Sequence, residues 1–152
     1  MGMRNDIAEV LYTEEQLAAI VKNMGQRISE DYKDKNLFMI SVLKGSLIFM
    51  ADLMRAIDIP CSIDFLSVSS YGSGTSTSGA VRILKDLDSS MEGKDLLVVE
   101  DILDSGMTLS FLLKNLSARK PNSIRLCTLL DKPERRVKDV KVDYCGFEIP
   151  DE

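Results

Sequence analysis

The chain has 152 residues, 45% of them hydrophobic, with no low-complexity tract. That is enough for one globular domain burying roughly 70% of its unfolded surface and leaves no room for a second. A net charge of -5 argues against a general nucleic-acid binder, although Lys132, Arg135, Arg136, Lys138 and Lys141 form a local basic cluster suited to a small anion. No apolar stretch reaches the length of a membrane span, and the start lacks the hydrophobic segment of a signal peptide, so a cytoplasmic protein is expected. Histidine is absent, which removes Ser-His-Asp and Cys-His machinery and histidine-ligated zinc, leaving carboxylates, lysines and tyrosines to move protons. Cys61, Cys127 and Cys145 are odd in number and set among apolar neighbours, as reduced core thiols are.

In chain order, Thr13-Glu14-Glu15-Gln16 is a capping box, and Leu17, Ile20, Val21, Met24 and Ile28 follow at helical spacing, predicting a first helix to about Tyr32. Leu37 to Leu43 is an apolar run of strand length, and a second helix is predicted over about Ser46 to Ile57. Between them, Lys44-Gly45 stands at the carboxyl end of a buried strand and before a helix. Such a turn either holds an anion through backbone N–H groups and a point charge or is a plain tight turn with a solvated lysine.

Ile63 to Ser70 and Ala80 to Leu87 read as two β segments. The stretch between them, Ser70 to Gly79, has three glycines and a run of hydroxyl residues that cannot pack a core, so a mobile hairpin loop or a lid is expected.

The most informative stretch is Leu96 to Leu109. Four consecutive aliphatics, Leu96 to Val99, predict a strand buried on both faces, which Glu100 and Asp101 are expected to end. Asp104-Ser105-Gly106-Met107-Thr108 then leads into a helical pattern of Leu109, Leu112, Leu113 and Leu116. Backbone N–H groups at such a helix start, with the positive end of its dipole behind them, form a ready phosphate cradle to which Ser105 and Thr108 can add hydroxyls. Ionised carboxylates only accept hydrogen bonds, so acids facing that cradle suit the vicinal diol of a sugar phosphate. The alternative is that Glu100, Asp101 and Asp104 simply end a strand and favour the helix dipole.

Asn122 to Leu130 is a further buried strand, followed by Asp131-Lys132-Pro133-Glu134-Arg135-Arg136, and Lys141 to Ile149 closes the pattern as a last strand. Lys132 stands at a strand's carboxyl end, where open α/β sheets bind ligands, although a solvated basic turn has the same composition. The expected fold is α/β, a mainly parallel sheet flanked by helices, with the site at the strands' carboxyl ends.

Val98 to Thr108 resembles the phosphoribosyl-pyrophosphate motif of the type I phosphoribosyltransferase family, most closely its bacterial hypoxanthine-guanine branch, and the similarity runs from the first helix to the last residue. The resemblance implies purine salvage: phosphoribosyl pyrophosphate and hypoxanthine or guanine give IMP or GMP and pyrophosphate, with Mg2+ as cofactor. It implies that Lys44 and Gly45 touch pyrophosphate, sometimes through a cis peptide before the lysine, and that Ser70 and Tyr71 belong to a loop closing over the reacting centre. Glu100 and Asp101 would bind ribose and magnesium, Asp104 to Thr108 would hold the 5'-phosphate, and Asp104 would be general base. Lys132 would donate to the purine's six-position oxygen, and Arg136 would lie near the pyrophosphate loop. It further implies a homodimer or homotetramer. The family continues past the segment matching Ile149-Pro150-Asp151 with an aromatic that stacks on the purine, so a small, incomplete hood and a missing C-terminal segment are expected here. An RNA-binding regulator built on the same domain, and a receiver domain phosphorylated on aspartate, are the alternatives; the acidic composition speaks against the first, and the second has no need of Asp-Ser-Gly-Met-Thr.

Overall fold

The computed structural model describes residues 12–70 and 81–150. The expected loop residues Tyr71 to Gly79, with Ala80, lie outside the described residues. Helix α1 (Glu14–Asp31) begins with the predicted capping box: the Thr13 hydroxyl accepts from the Gln16 N–H at 3.0 Å, and the Gln16 side chain accepts from the Thr13 N–H at 2.8 Å. Then follow β1 (Leu37–Val42), α2 (Leu47–Ala56), β2 (Ser62–Ser70), β3 (Val81–Lys85), β4 (Asp95–Leu103), α3 (Met107–Ser117), β5 (Ser123–Asp131), a short 3-10 turn (Pro133–Arg135) and β6 (Tyr144–Glu148).

The strands form one sheet in the order β3-β2-β1-β4-β5-β6, with β3 antiparallel to β2 and every other pairing parallel. The two-residue period of the strands explains the layers. Leu37, Met39, Leu97, Val99 and Cys127 face α1 and α2, packing with Met24, Ile28, Phe49, Met50 and Leu53. Phe38, Ile40, Leu96, Val98 and Leu126 face α3, packing with Leu109, Leu112 and Leu116. The central strands are therefore buried on both sides, as their unbroken aliphatic runs require. The three cysteines are free thiols; burial pushes Cys127 well above its ordinary range. Among the described residues no helix is long and apolar enough to cross a membrane.

One expectation is corrected. Glu100 and Asp101 do not end β4, which continues to Leu103 because its ladder with β5 continues through Glu100↔Thr128, Ile102↔Leu130 and Leu103↔Asp131. Cross-strand pairing overrides the local signal of two adjacent acids.

The connection from β1 runs through α2 to β2 on one side, and that from β4 runs through α3 to β5 on the other. Between β1 and β4 the sheet order reverses. Open α/β sheets bind ligands in the crevice outside the carboxyl ends at such a point, which is where the turn after β1 and the loop after β4 emerge.

Candidate active site

The loop from β4 to α3 is shaped by Gly106. Its φ is +80°, a left-handed conformation, and a Cβ there would lie 2.9 Å from the Lys138 carbonyl oxygen, 3.0 Å from Arg136 Cδ and 3.1 Å from Val140 Cγ2. Both facts demand glycine. The Ser105 hydroxyl accepts from the Met107 N–H at 3.3 Å, while the Ser105 carbonyl accepts from the N–H groups of Val137 and Lys138 at 2.8 and 3.1 Å. The first turn of α3, whose leading N–H groups have no intrahelical acceptor, opens on a cleft of about 180 Å³ lined by Glu100, by Ile102 and Leu103, and by Asp104 to Leu109. Asp104 is exposed at its rim.

The turn after β1 carries a cis peptide between Leu43 and Lys44. Lys44 and Gly45 are exposed, while Ser41 and Ser46 on either side are completely buried. Their hydroxyls meet in a hydrogen bond, and Ser46 Oγ also donates to the Val42 carbonyl at 2.8 Å, so the turn is closed from beneath. Gly45 lines a second, larger cavity of about 670 Å³ that runs between α1 and α2 and includes Asp101 and Ile102.

Glu100 and Asp101, expected to face one cradle together, line different cavities: Glu100 the smaller, against α3, and Asp101 the larger, beside Gly45. Successive residues of a strand point to opposite faces, so β4 carries one acid to each side of the crevice. Glu100 Oε1 accepts from the Asp101 N–H at 2.9 Å. Among the described residues no three acidic, histidine or cysteine side chains gather as a metal cage. Magnesium usually takes one or two carboxylates and completes its shell with substrate phosphates and water, so a single acid on either side of the crevice is enough to fit it.

At the end of β5, Lys132 is half-buried and its N–H donates to the Leu103 carbonyl at 3.0 Å, binding the lysine's backbone to the last residue of β4. Asp131 is buried; burial pushes its carboxyl above the usual range, the Arg136 guanidinium pulls it back, and Glu148, its register partner on β6, adds to the rise. Arg136 pairs with Asp131 and donates from Nε to the Asp104 carbonyl at 3.1 Å. Ser70 is the last residue of β2, paired with Val81, and Tyr71 lies outside the described residues.

The structure thus gathers Glu100 and Asp104 to Thr108 around one cleft, ties Lys132 to its rim, and sets Gly45 and Asp101 together in the adjoining cavity. Sequence reasoning missed Asp131 and the Ser41–Ser46 pair. An acid just before a lysine at a buried strand's end was a signal for the first; for the second, two serines flanking Lys44-Gly45 offered a weaker one.

The phosphoribosyl transferase domain family matches residues 8–152. A hypoxanthine-guanine phosphoribosyltransferase of Mycobacterium avium is 52% identical over 97% of this chain and 75% of its own length. That of Bacillus subtilis (strain 168) is 50% identical over 98% of this chain and 83% of its own. A crystal structure of a hypoxanthine phosphoribosyltransferase from Staphylococcus aureus superposes with a TM-score of 0.89 at 49% identity, covering 92% of this chain and 76% of that one.

Proposed function

Because the chain belongs to the hypoxanthine-guanine phosphoribosyltransferase family, we propose that it serves purine salvage, joining the phosphoribosyl group of phosphoribosyl pyrophosphate to hypoxanthine or guanine and releasing pyrophosphate. The observation that carries this is the cleft at the start of α3. Asp104 to Leu109, with Ser105 and Thr108 among them, line it where the first backbone N–H groups of the helix have no intrahelical acceptor, and Glu100 lines the same cleft.

In this reading the 5'-phosphate sits in the Asp104 to Thr108 loop. Glu100 and Asp101 accept hydrogen bonds from the ribose hydroxyls, and Lys44 and Gly45 hold the leaving pyrophosphate. Glu100 and Asp101 would also hold magnesium brought with the diphosphate, whose charge it neutralises when bound. As the bond to pyrophosphate breaks, positive charge grows on the ribose ring, and the carboxylates of β4 stabilise that charge more than they stabilise the ground state. Asp104, at the cleft's rim, takes or shares the purine's imidazole proton as general base. Lys132 donates to the six-position oxygen, which favours hypoxanthine and guanine over adenine. A cytoplasmic homodimer or homotetramer completes the proposal. The comparisons give no support to the RNA-binding alternative.

Pyrophosphate release, followed with phosphoribosyl pyrophosphate, magnesium and each purine in turn, tests this. Release with hypoxanthine or guanine and not with adenine is expected. No release with any purine, or equal release with adenine, would overturn it.

A further inference from the structure

Arg136 stands just beyond the 3-10 turn with only 15% of its side chain exposed, and two of the three nitrogens of its guanidinium group, Nε and Nη2, are engaged by protein. Nη2 pairs with the carboxylate of Asp131, whose side chain is 8% exposed at the end of β5; Nε donates to the Asp104 carbonyl at 3.1 Å. Parallel to these, the N–H groups of Val137 and Lys138 reach the Ser105 carbonyl, and the Lys132 N–H reaches the Leu103 carbonyl. The segment that starts with Lys132 therefore folds back and grips three successive carbonyls at the end of β4. A lysine ammonium in place of Arg136 is a single point charge, whereas a planar guanidinium bridges two acceptors in fixed directions. A buried ion pair is weak as a source of stability, since desolvation offsets most of its attraction, so geometry is the better reason for keeping one here.

We propose that Asp131 and Arg136 are positioning residues that hold the Asp104-Ser105 end of the phosphate loop at a set distance from Lys132, and so present the phosphoribosyl group to the purine in register. This rests on the reading of the site given above. Neither side chain needs to touch substrate: Arg136 acts through the Asp104 carbonyl, and Asp131 acts through Arg136. Asp104 carries its carboxylate on the same residue whose carbonyl is held, so loosening that carbonyl displaces the group proposed to move the proton.

The test uses Asp131→Asn, Arg136→Gln, Arg136→Lys and the double variant Asp131→Asn/Arg136→Gln in the full chain, with steady-state kinetics, thermal midpoints and hydrogen exchange over residues 104–109 without substrates. Misplacing a reacting group slightly costs on the order of 10- to 100-fold, so each single variant should lose kcat on that scale while the KM for hypoxanthine changes by less than about threefold. The double variant should be no worse than either single one, because each change breaks the same tie. Lysine at 136 should not restore kcat, and exchange over 104–109 should quicken in every variant. Rescue by lysine, multiplying losses in the double variant, or a lowered midpoint with wild-type kcat and exchange would each overturn the proposal. If the unaltered chain makes no nucleotide from any purine, the functional reading falls by itself, and the exchange measurement still judges the tie.

Discussion

The carboxylate of Asp95, 4% exposed at the start of β4, accepts the side-chain N–H of Asn122 at 2.8 Å. The Ser123 hydroxyl donates to the same oxygen at 2.8 Å, and the Asn36 N–H reaches the other oxygen at 3.2 Å. One buried anion therefore pins the entries to β1, β4 and β5 at the end of the sheet opposite the site. Burial works to raise its pKa, but the hydrogen bonds from Asn122, Ser123 and Asn36 outweigh burial and hold it below the usual carboxylate range.

A pH dependence follows from that direction. A carboxyl lowered on folding adds stability that is fully present above its unfolded pKa, near 3.9, and is lost as pH falls through the lower folded value. Asp95→Asn should cost about 1 to 3 kcal/mol at pH 7, by disturbing three satisfied donors. The gap between wild type and variant should then narrow below about pH 4. Asp64 and Asp86, also lowered, are common to both proteins and cancel in the comparison. Urea midpoints at a series of pH values measure it; a gap of the same size at pH 3 and pH 7 would show that the charge is not the stabilising species.

Gly106 and Gly93 allow two costs to be separated. Both have positive φ, +80° and +75°, but a Cβ at Gly93 meets nothing within 4 Å, whereas one at Gly106 meets the Lys138 carbonyl at 2.9 Å. Gly93→Ala should lose about 1 kcal/mol, the cost of the left-handed conformation alone. Gly106→Ala should lose more, up to about 3 kcal/mol, and should weaken phosphoribosyl pyrophosphate binding as the loop moves. Equal thermal shifts in the two variants would mean that the 136–140 segment yields without cost.

Much of this arrangement could be read from local pattern, and the exceptions share one cause. Leu96 to Val99 announced a doubly buried strand, and Asp104 to Thr108 announced the loop before a helix, because strand burial and helix starts are written in adjacent residues. The continuation of β4 through Glu100 and Asp101 depends on β5, more than twenty residues away, and no local signal carried it. The same holds for Arg136. Its charge suggested an anion from solution, yet the partner is Asp131, brought beside it by the 3-10 turn. The hydroxyl pair of Ser41 and Ser46 is likewise a property of the closed turn and not of either residue.

Asp104 gives the most direct test of the chemistry. If its carboxylate is the general base, Asp104→Asn should lower turnover by roughly 100-fold or more and leave ligand affinity almost unchanged. The backbone role is kept, since the bond to Arg136 uses the Asp104 carbonyl. Single-turnover kinetics and calorimetry on the same preparation separate the two quantities. Parallel losses in binding and turnover would assign Asp104 to the architecture of the loop.

Lys132 separates purine from phosphoribosyl recognition. Its backbone N–H, not its side chain, holds the Leu103 carbonyl, so Lys132→Ala keeps the tie between β4 and the segment after β5. What is removed is the ammonium proposed to reach the purine oxygen. A site built to hydrogen-bond a substrate group loses about 1 to 3 kcal/mol when that bond cannot form, so hypoxanthine and guanine should bind correspondingly more weakly. Phosphoribosyl pyrophosphate affinity should hold, because the cleft at the start of α3 does not include Lys132. Discrimination against adenine should also shrink, since the group that favours an oxygen at the six-position is gone. Calorimetric titration of the variant with each ligand decides the matter: if both ligand classes weaken alike, Lys132 shapes the crevice and does not read the base.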